Sequence, residues 1–164
     1  MAKIISLVKL LFFIDNFKKL GRKIVFVTGC FDLLHPAHKL FLQKAKAKGD
    51  ILAVGLEVDQ RVKTMKGIDR PINLWPVRAA NLARLKAVDF VFSLPSDINR
   101  PQAQSKLLAK LKPDVLAVSS HTYHLEKKRA LVEKFGGRLK NVMEYDLQFS
   151  TSKLLSVRRK ANKG

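Results

Sequence analysis

His35 and His38 stand three residues apart in GCFDLLHPAH (29–38), with Pro36 and Ala37 between them. At helical spacing two such imidazoles lie about one turn apart and face the same side. The run before them, KIVFVTG (23–29), is rich in β-branched residues and ends in glycine, which predicts a buried strand. Pro36 suits the first turn of a helix, where its missing N–H costs nothing. The pair therefore falls where a strand hands over to a helix. A helix start offers unpaired N–H groups and a positive dipole end. Paired imidazoles there make a seat for phosphate oxygens and for charge that builds on a phosphorus centre. On the residues alone, two other readings stay open. The histidines could be a surface or capping pair, or two zinc ligands, although no third ligand lies nearby in sequence.

The elements that must hold this stretch follow from periodicity. Further buried strands are predicted over 50–57, 89–94, 114–119 and 139–145, each a largely continuous apolar run. Between them helices are predicted over 36–48, 75–87, 101–111 and 122–135, with a last one from Ser150 to about Arg159. Residues 58–74 read as a loop, or as a short helix and a loop. Such alternation predicts an α/β fold: a single Rossmann-like domain, a five-stranded parallel sheet with helices on both faces. Leu7, Leu10, Leu11, Ile14 and Phe17 add an amphipathic leading helix over 6–20. The core then spans 23–155, and 156–164 form a basic tail. In such a sheet ligands bind beyond the carboxyl ends of the strands, where Gly29 to His38 lie.

Composition narrows the partners without choosing one. Lys and Arg number 32 against 13 Asp and Glu, a net charge of +19. That field attracts polyanions: nucleic acid, an anionic membrane or a nucleoside triphosphate. It also fits the general bias of a basic proteome. One cysteine, Cys30, excludes an intrachain disulfide and a cysteine-rich zinc site. It points to a reducing, cytoplasmic compartment. The apolar start resembles a secretory signal, but Lys9 interrupts it and no small-residue cleavage site follows. No apolar segment is long enough to span a bilayer.

GCFDLLHPAH resembles the signature of the nucleotidyltransferases that carry His-x-Gly-His after Gly-x-Phe-Asp, the cytidylyltransferase-like family. The likeness runs on through LFLQKAKAKGD (40–50), VKTMKGIDRPIN (62–73), Arg78, LKAVDFV (85–91), KPDVL (112–116), Gly136–Gly137 and FSTSKLL (149–155). Within the family it is nearest the heptose-1-phosphate adenylyltransferase domain, and more distantly glycerol-3-phosphate cytidylyltransferase. The resemblance implies that a sugar phosphate or polyol phosphate attacks the α-phosphorus of ATP or CTP and that pyrophosphate leaves. Catalysis is then positioning and charge neutralisation. His35, His38, Lys66 and Arg78 would be catalytic. Gly29, Cys30, Phe31, Lys63, Ser150, Thr151 and Ser152 would join the histidines around the nucleotide. Asp32, Arg78 and His121 would meet the acceptor. Asp32 has a second reading, fixing the turn by an Asx hydrogen bond. Magnesium is implied as a passenger on the triphosphate rather than by any acidic cluster, and a homodimer is allowed.

The sequence departs from the pattern in three places. Ala37 replaces a glycine, Ser119, Ser120 and His121 replace a Gly-Gly-Asp-like stretch, and Gln148 replaces a glycine before the Ser-Thr motif. They put the base and the acceptor in question. Tyr123 and His124 then read either as new acceptor contacts or as loop surface. A nucleotide- or nucleic-acid-binding module without catalysis is the competing expectation, favoured by the charge. Against it, no RNA-binding signature with stacking aromatics is present. A structural protein on the same fold is a third possibility.

Overall fold

A computed structural model describes residues 2–120 and 122–144. The chain runs β1 (Lys3–Ile4), α1 (Leu7–Lys19), β2 (Ile24–Gly29), α2 (Pro36–Lys46), β3 (Ile51–Leu56) and α3 (Asp59–Lys66). It continues through α4 (Trp75–Ala83), β4 (Phe90–Ser93), α5 (Pro101–Leu111), β5 (Val115–Ser119), α6 (Leu125–Lys134) and β6 (Arg138–Met143). The strands form one parallel sheet in the order β1-β4-β3-β2-β5-β6.

Alternation along each strand divides the core into two layers. Ile24 and Phe26 of β2 join Phe90, Phe92 and Leu116 against Leu10 and Ile14 of α1, Leu107, Leu108 and Leu111 of α5, and Val132 of α6. Val25 and Val27 face the other way. They join Leu52, Val54, Val91 and Ala117 against Leu42 and Ala45 of α2 and Ala79 and Leu82 of α4. Two-sided burial explains why these strands read as unbroken apolar runs.

The sheet has six strands rather than the expected five. The extra one, β1, is two residues long and pairs Lys3 with Phe90 and Ile4 with Val91. It is too short to show any alternation, so the sequence folded it into the approach to the leading helix. That helix is present. Ser6 caps it by accepting from the Lys9 N–H at 3.3 Å. Lys18 ties its far end to α5 by donating to the Leu111 carbonyl at 3.1 Å. The stretch 58–74 resolves into a short helix and a loop. α6 begins three residues later than expected, because His124 adopts a left-handed conformation, φ 57°. The helix expected from Ser150 lies outside the described residues.

Three aspartates finish the amino ends of the strands. Asp50 accepts from the Lys23 N–H at 2.8 Å and Asp114 from the Ile24 N–H at 2.7 Å. Asp89 accepts from the Leu52 N–H at 2.6 Å and from Lys46 Nζ at 2.5 Å. Backbone donors that no neighbouring strand would pair are satisfied there. The carboxyl ends carry the loops instead. The chain works outward from β2 through β3 to β4, then returns to lay β5 on the other side of β2. The order of strands therefore reverses between β2 and β5, the switch point at which open sheets bind ligands.

Candidate active site

The loop leaving β2 is held in an uncommon shape. Phe31 has φ 43°, a left-handed conformation that costs a bulky residue energy. Its buried ring is the compensation: it meets His38 edge-on at 5.3 Å. It also explains Gly29, because a Cβ at that position would lie 2.7 Å from the Phe31 ring. His35 then forms the N-cap of α2 with extended backbone, and Pro36 takes the first turn.

The two imidazoles stack, with centroids 3.7 Å apart and planes inclined by 24°. His38 Nδ1 lies 3.2 Å from the Leu33 carbonyl oxygen. Only a protonated nitrogen can bond a carbonyl, so in the neutral ring Nδ1 carries the hydrogen and Nε2 holds a lone pair. His35 Nδ1 is buried with no hydrogen-bond partner. Burial pulls the His38 pKa down, His35 and Lys66 add to it, and the Leu33 carbonyl only partly opposes them, leaving it at about 4. Burial and then Lys66 also lower His35. In the free protein both rings are therefore neutral at neutral pH.

These rings line a cavity of about 200 Å³ with Gly29, Cys30, Phe31, Ala37 and Lys66, closed on the β5 side by Val118 and Ser119. The cavity thus sits at the switch point. Lys66 enters it from the last turn of α3, before Gly67, which has φ 106°. Lys63, one turn earlier, is exposed and does not line the cavity. Burial pushes the Cys30 thiol up, so it is held as a thiol rather than as a nucleophile. Ala37 presents its methyl among the lining groups, where glycine would leave space. Ser150, Thr151, Ser152, Gln148 and His121 lie outside the described residues.

A polyanion entering this cavity favours the protonated form of the rings. Binding of a triphosphate is therefore expected to raise the histidine pKa values and take up protons. Affinity should fall as pH rises through the raised, bound-state value. Calorimetry of ATP binding at mildly acidic pH, in buffers of differing ionisation enthalpy, should show net uptake. Release or no exchange would contradict the assignment of the rings to the phosphates.

Two expected ligand contacts are corrected. Arg78 is fully buried, and four of its five N–H groups are engaged by the protein. Nε donates to the Asn73 carbonyl at 2.9 Å and Nη1 to the Cys30 carbonyl at 2.6 Å. Nη2 donates to the Glu57 carbonyl at 2.8 Å and to Asp59 Oδ1 at 2.6 Å. Arg78 thus ties the ends of β2 and β3 to the start of α3 and to the following loop, and presents no free fork to phosphate. Asp32 is likewise an anchor rather than an acceptor contact. It accepts from Arg70 Nε at 2.6 Å, from the Ile72 N–H at 2.9 Å and from the Asn73 N–H at 2.9 Å. Burial pushes its carboxyl up, but the N–H groups of Asn73 and Ile72, with Arg70, outweigh that and lower it. Its turn-fixing reading is nearer the truth, except that it fixes residues 70–73 rather than its own turn.

A second cavity of about 430 Å³ lies beside the first; sequence reasoning reached its Tyr123 and His124 but passed over Glu57, Arg61 and Lys128. Glu57, Arg61, Tyr123, His124 and Lys128 line it, over a floor that includes Phe26, Leu94 and Leu116. Glu57 and Arg61 carried a usable signal, a charged pair four residues apart directly after a buried strand. Lys128 carried none, since LEKKRA gives no ground for separating it from the solvated Lys127 and Arg129.

Fold and site together define an α/β protein whose histidine pair lines a cavity at the switch point of a parallel sheet. Residues 26–155 match the cytidylyltransferase-like family, and the chain belongs to that family. It is 40% identical over 161 residues to bifunctional protein HldE of Helicobacter pylori (strain ATCC 700392 / 26695), covering 98% of this chain and 32% of that protein. It is 36% identical over 159 residues to bifunctional protein HldE of Pseudomonas aeruginosa (strain UCBPP-PA14), covering 96% and 32% respectively. The chain spans about a third of the length of these curated relatives. Among solved structures, it is similar to a lipopolysaccharide core biosynthesis protein from Thermoplasma volcanium GSS1, with TM-score 0.61 and 28% identity. That match covers 77% of this chain and all of the other. Pantoate-beta-alanine ligase from Francisella tularensis, at TM-score 0.65 and 19% identity, covers 100% of this chain and 79% of its own and shares the fold. No helix among the described residues is long and apolar enough to cross a membrane.

Proposed function

We propose that the chain transfers a nucleotidyl group from a nucleoside triphosphate to a phosphorylated sugar or polyol. An oxygen of the acceptor phosphate forms a bond to the α-phosphorus. The bond from that phosphorus to the oxygen bridging the β-phosphorus breaks, and pyrophosphate leaves with the electron pair. The attacking phosphate is already anionic, so no base is required, and the protein supplies position and positive charge. The single observation that carries this reading is the stacked His35–His38 pair beside Lys66 in a cavity at the switch point.

The triphosphate's phosphates occupy the histidine cavity. His38 Nε2 and His35 become donors as the bound anion raises their pKa values and they take up protons from solvent, and Lys66 contributes a positive charge. Magnesium arrives with the triphosphate as part of the substrate. The described side chains lining the cavity include two imidazoles, two ammoniums and the hydroxyls of Thr28, Ser119 and Thr122, but none of the carboxylates that usually hold magnesium. Ser150, Thr151 and Ser152 are assigned to the outer phosphates by the resemblance. A sugar acceptor is supported by the Thermoplasma volcanium relative, whose protein is described by its part in lipopolysaccharide core biosynthesis. The acceptor body enters through the larger cavity.

The test is pyrophosphate release with ATP or CTP against heptose 1-phosphate and glycerol 3-phosphate. Release is expected only when one triphosphate and one phosphorylated acceptor are both present. Absence of release, together with steeply salt-dependent binding of RNA, would replace this reading with that of a polyanion-binding module.

A further inference from the structure

Lys128 of α6 lines both cavities, and so do Thr28 and Val118, which makes a narrow seam with one charged group on it. The Lys128 side chain is half-buried, yet its ammonium makes no hydrogen bond and no ion pair within 4.0 Å among the described residues. Burial lowers its pKa, and the Glu57 carboxylate pulls the other way. In the larger cavity Glu57 and Arg61 face each other at 3.7 Å, too far for a hydrogen bond. Glu57 Oε2 and Arg61 Nε, held only as a loose ion pair, are both buried without a hydrogen-bond partner. Groups left in that state are costly unless a ligand completes them.

We propose that Lys128 grips the acceptor's phosphate at the seam while Glu57 and Arg61 read hydroxyl groups on its carbon skeleton. This rests on the nucleotidyl-transfer reading above. The attacking phosphate must reach an α-phosphorus lying in the smaller cavity, while the rest of the acceptor needs the larger one. Its phosphate therefore crosses the seam, where Lys128 is the cation within reach. An ammonium on a flexible stem has three donors and imposes no planar geometry, which suits a monoester that must move toward phosphorus. The Glu57 carboxylate accepts from a hydroxyl, and the Arg61 guanidinium donates to one. A deoxygenated acceptor would leave both without that hydrogen bond, so the site selects a polyhydroxylated phosphate monoester. The apolar floor takes its C–H face.

Calorimetry tests this without turnover. Heptose 1-phosphate and glycerol 3-phosphate are titrated into the full chain, with and without a non-hydrolysable ATP analogue. Lys128→Met is expected to weaken the tighter of the two esters by about ten- to a hundredfold, with the analogue bound within twofold of wild type. Lys128→Arg should recover part of the loss. Glu57→Gln should weaken the ester but leave binding of inorganic phosphate unchanged. Unaltered ester binding in Lys128→Met, equal loss of ester and analogue, or a wild-type chain that binds neither ester would overturn the proposal. Ester binding that depends on Lys128 in a protein releasing no pyrophosphate would uphold the site and defeat the transfer reading instead.

Discussion

His38→Asn is expected to lower the rate of pyrophosphate release by about a hundred- to a thousandfold, the usual effect of removing one group that stabilises transition-state charge. Asparagine is the informative choice. Its amide N–H can still donate to the Leu33 carbonyl, which His38 Nδ1 approaches at 3.2 Å. The loop is then retained while the Nε2 position, the part of the ring proposed to meet the phosphates, is lost. The melting temperature should therefore stay near that of wild type. A variant that is both stable and nearly as active as wild type would mean that the stacked pair is a packing feature. The neighbouring ring sharpens the test. With centroids 3.7 Å apart, two charged imidazoles would repel, and His35 already helps hold His38 neutral. His35 remains, lowered by burial and Lys66, so the pH dependence of ATP binding should weaken but not vanish in His38→Asn.

Arg78→Met should behave in the opposite way, with the loss falling first on stability. The guanidinium serves three carbonyls and one carboxylate, and all lose their donor together. Deleting a buried donor that makes four hydrogen bonds, three to carbonyls and one to the part-exposed Asp59, costs about 3–5 kcal/mol. For a chain of this length that corresponds to a fall in melting temperature of roughly 6–20 °C. Arg78→Lys keeps the charge but not the fork, and one ammonium cannot span the ends of β2 and β3, the start of α3 and the Asn73 carbonyl. It should fall between the two. Thermal denaturation separates the roles cleanly. A bracing residue lowers the melting temperature, whereas a residue gripping phosphate would lower turnover and leave the melting temperature alone. An Arg78→Met protein with wild-type stability and no turnover would return Arg78 to the ligand.

The sheet and its site differed in how plainly the sequence announced them. The strands were legible because burial on both faces leaves no polar residue to blur them, and GCFDLLHPAH was legible because Pro36 and the histidines mark a strand-to-helix junction. Residue type could place Arg78 near the ligand end of the sheet but could not say where its fork points. A guanidinium that holds carbonyls and one that holds phosphate look alike in sequence. Asp32 misled in the same manner, since its partners Arg70, Ile72 and Asn73 lie about forty residues on, beyond any local turn rule. Lys128 depends on how α6 is rotated against β5, which a helix of mostly polar residues does not declare. β1 is too short for a periodic signal of any kind.

The aspartates that finish the amino ends of the strands have an effect far from where they sit. Asp50, Asp89 and Asp114 offset nearby positive charge at the end of the sheet remote from the ligand. At the opposite end Asp32, Glu57 and Asp59 each face an arginine, while Lys66 and Lys128 face the cavities with no acid within 4.0 Å among the described residues. Among the described residues, two cations without a nearby acid therefore face the end of the sheet that carries the cavities. Under the proposed function, a drifting triphosphate is turned toward the mouth of the site before it touches the surface, so the arrangement would shorten the search as well as strengthen the hold.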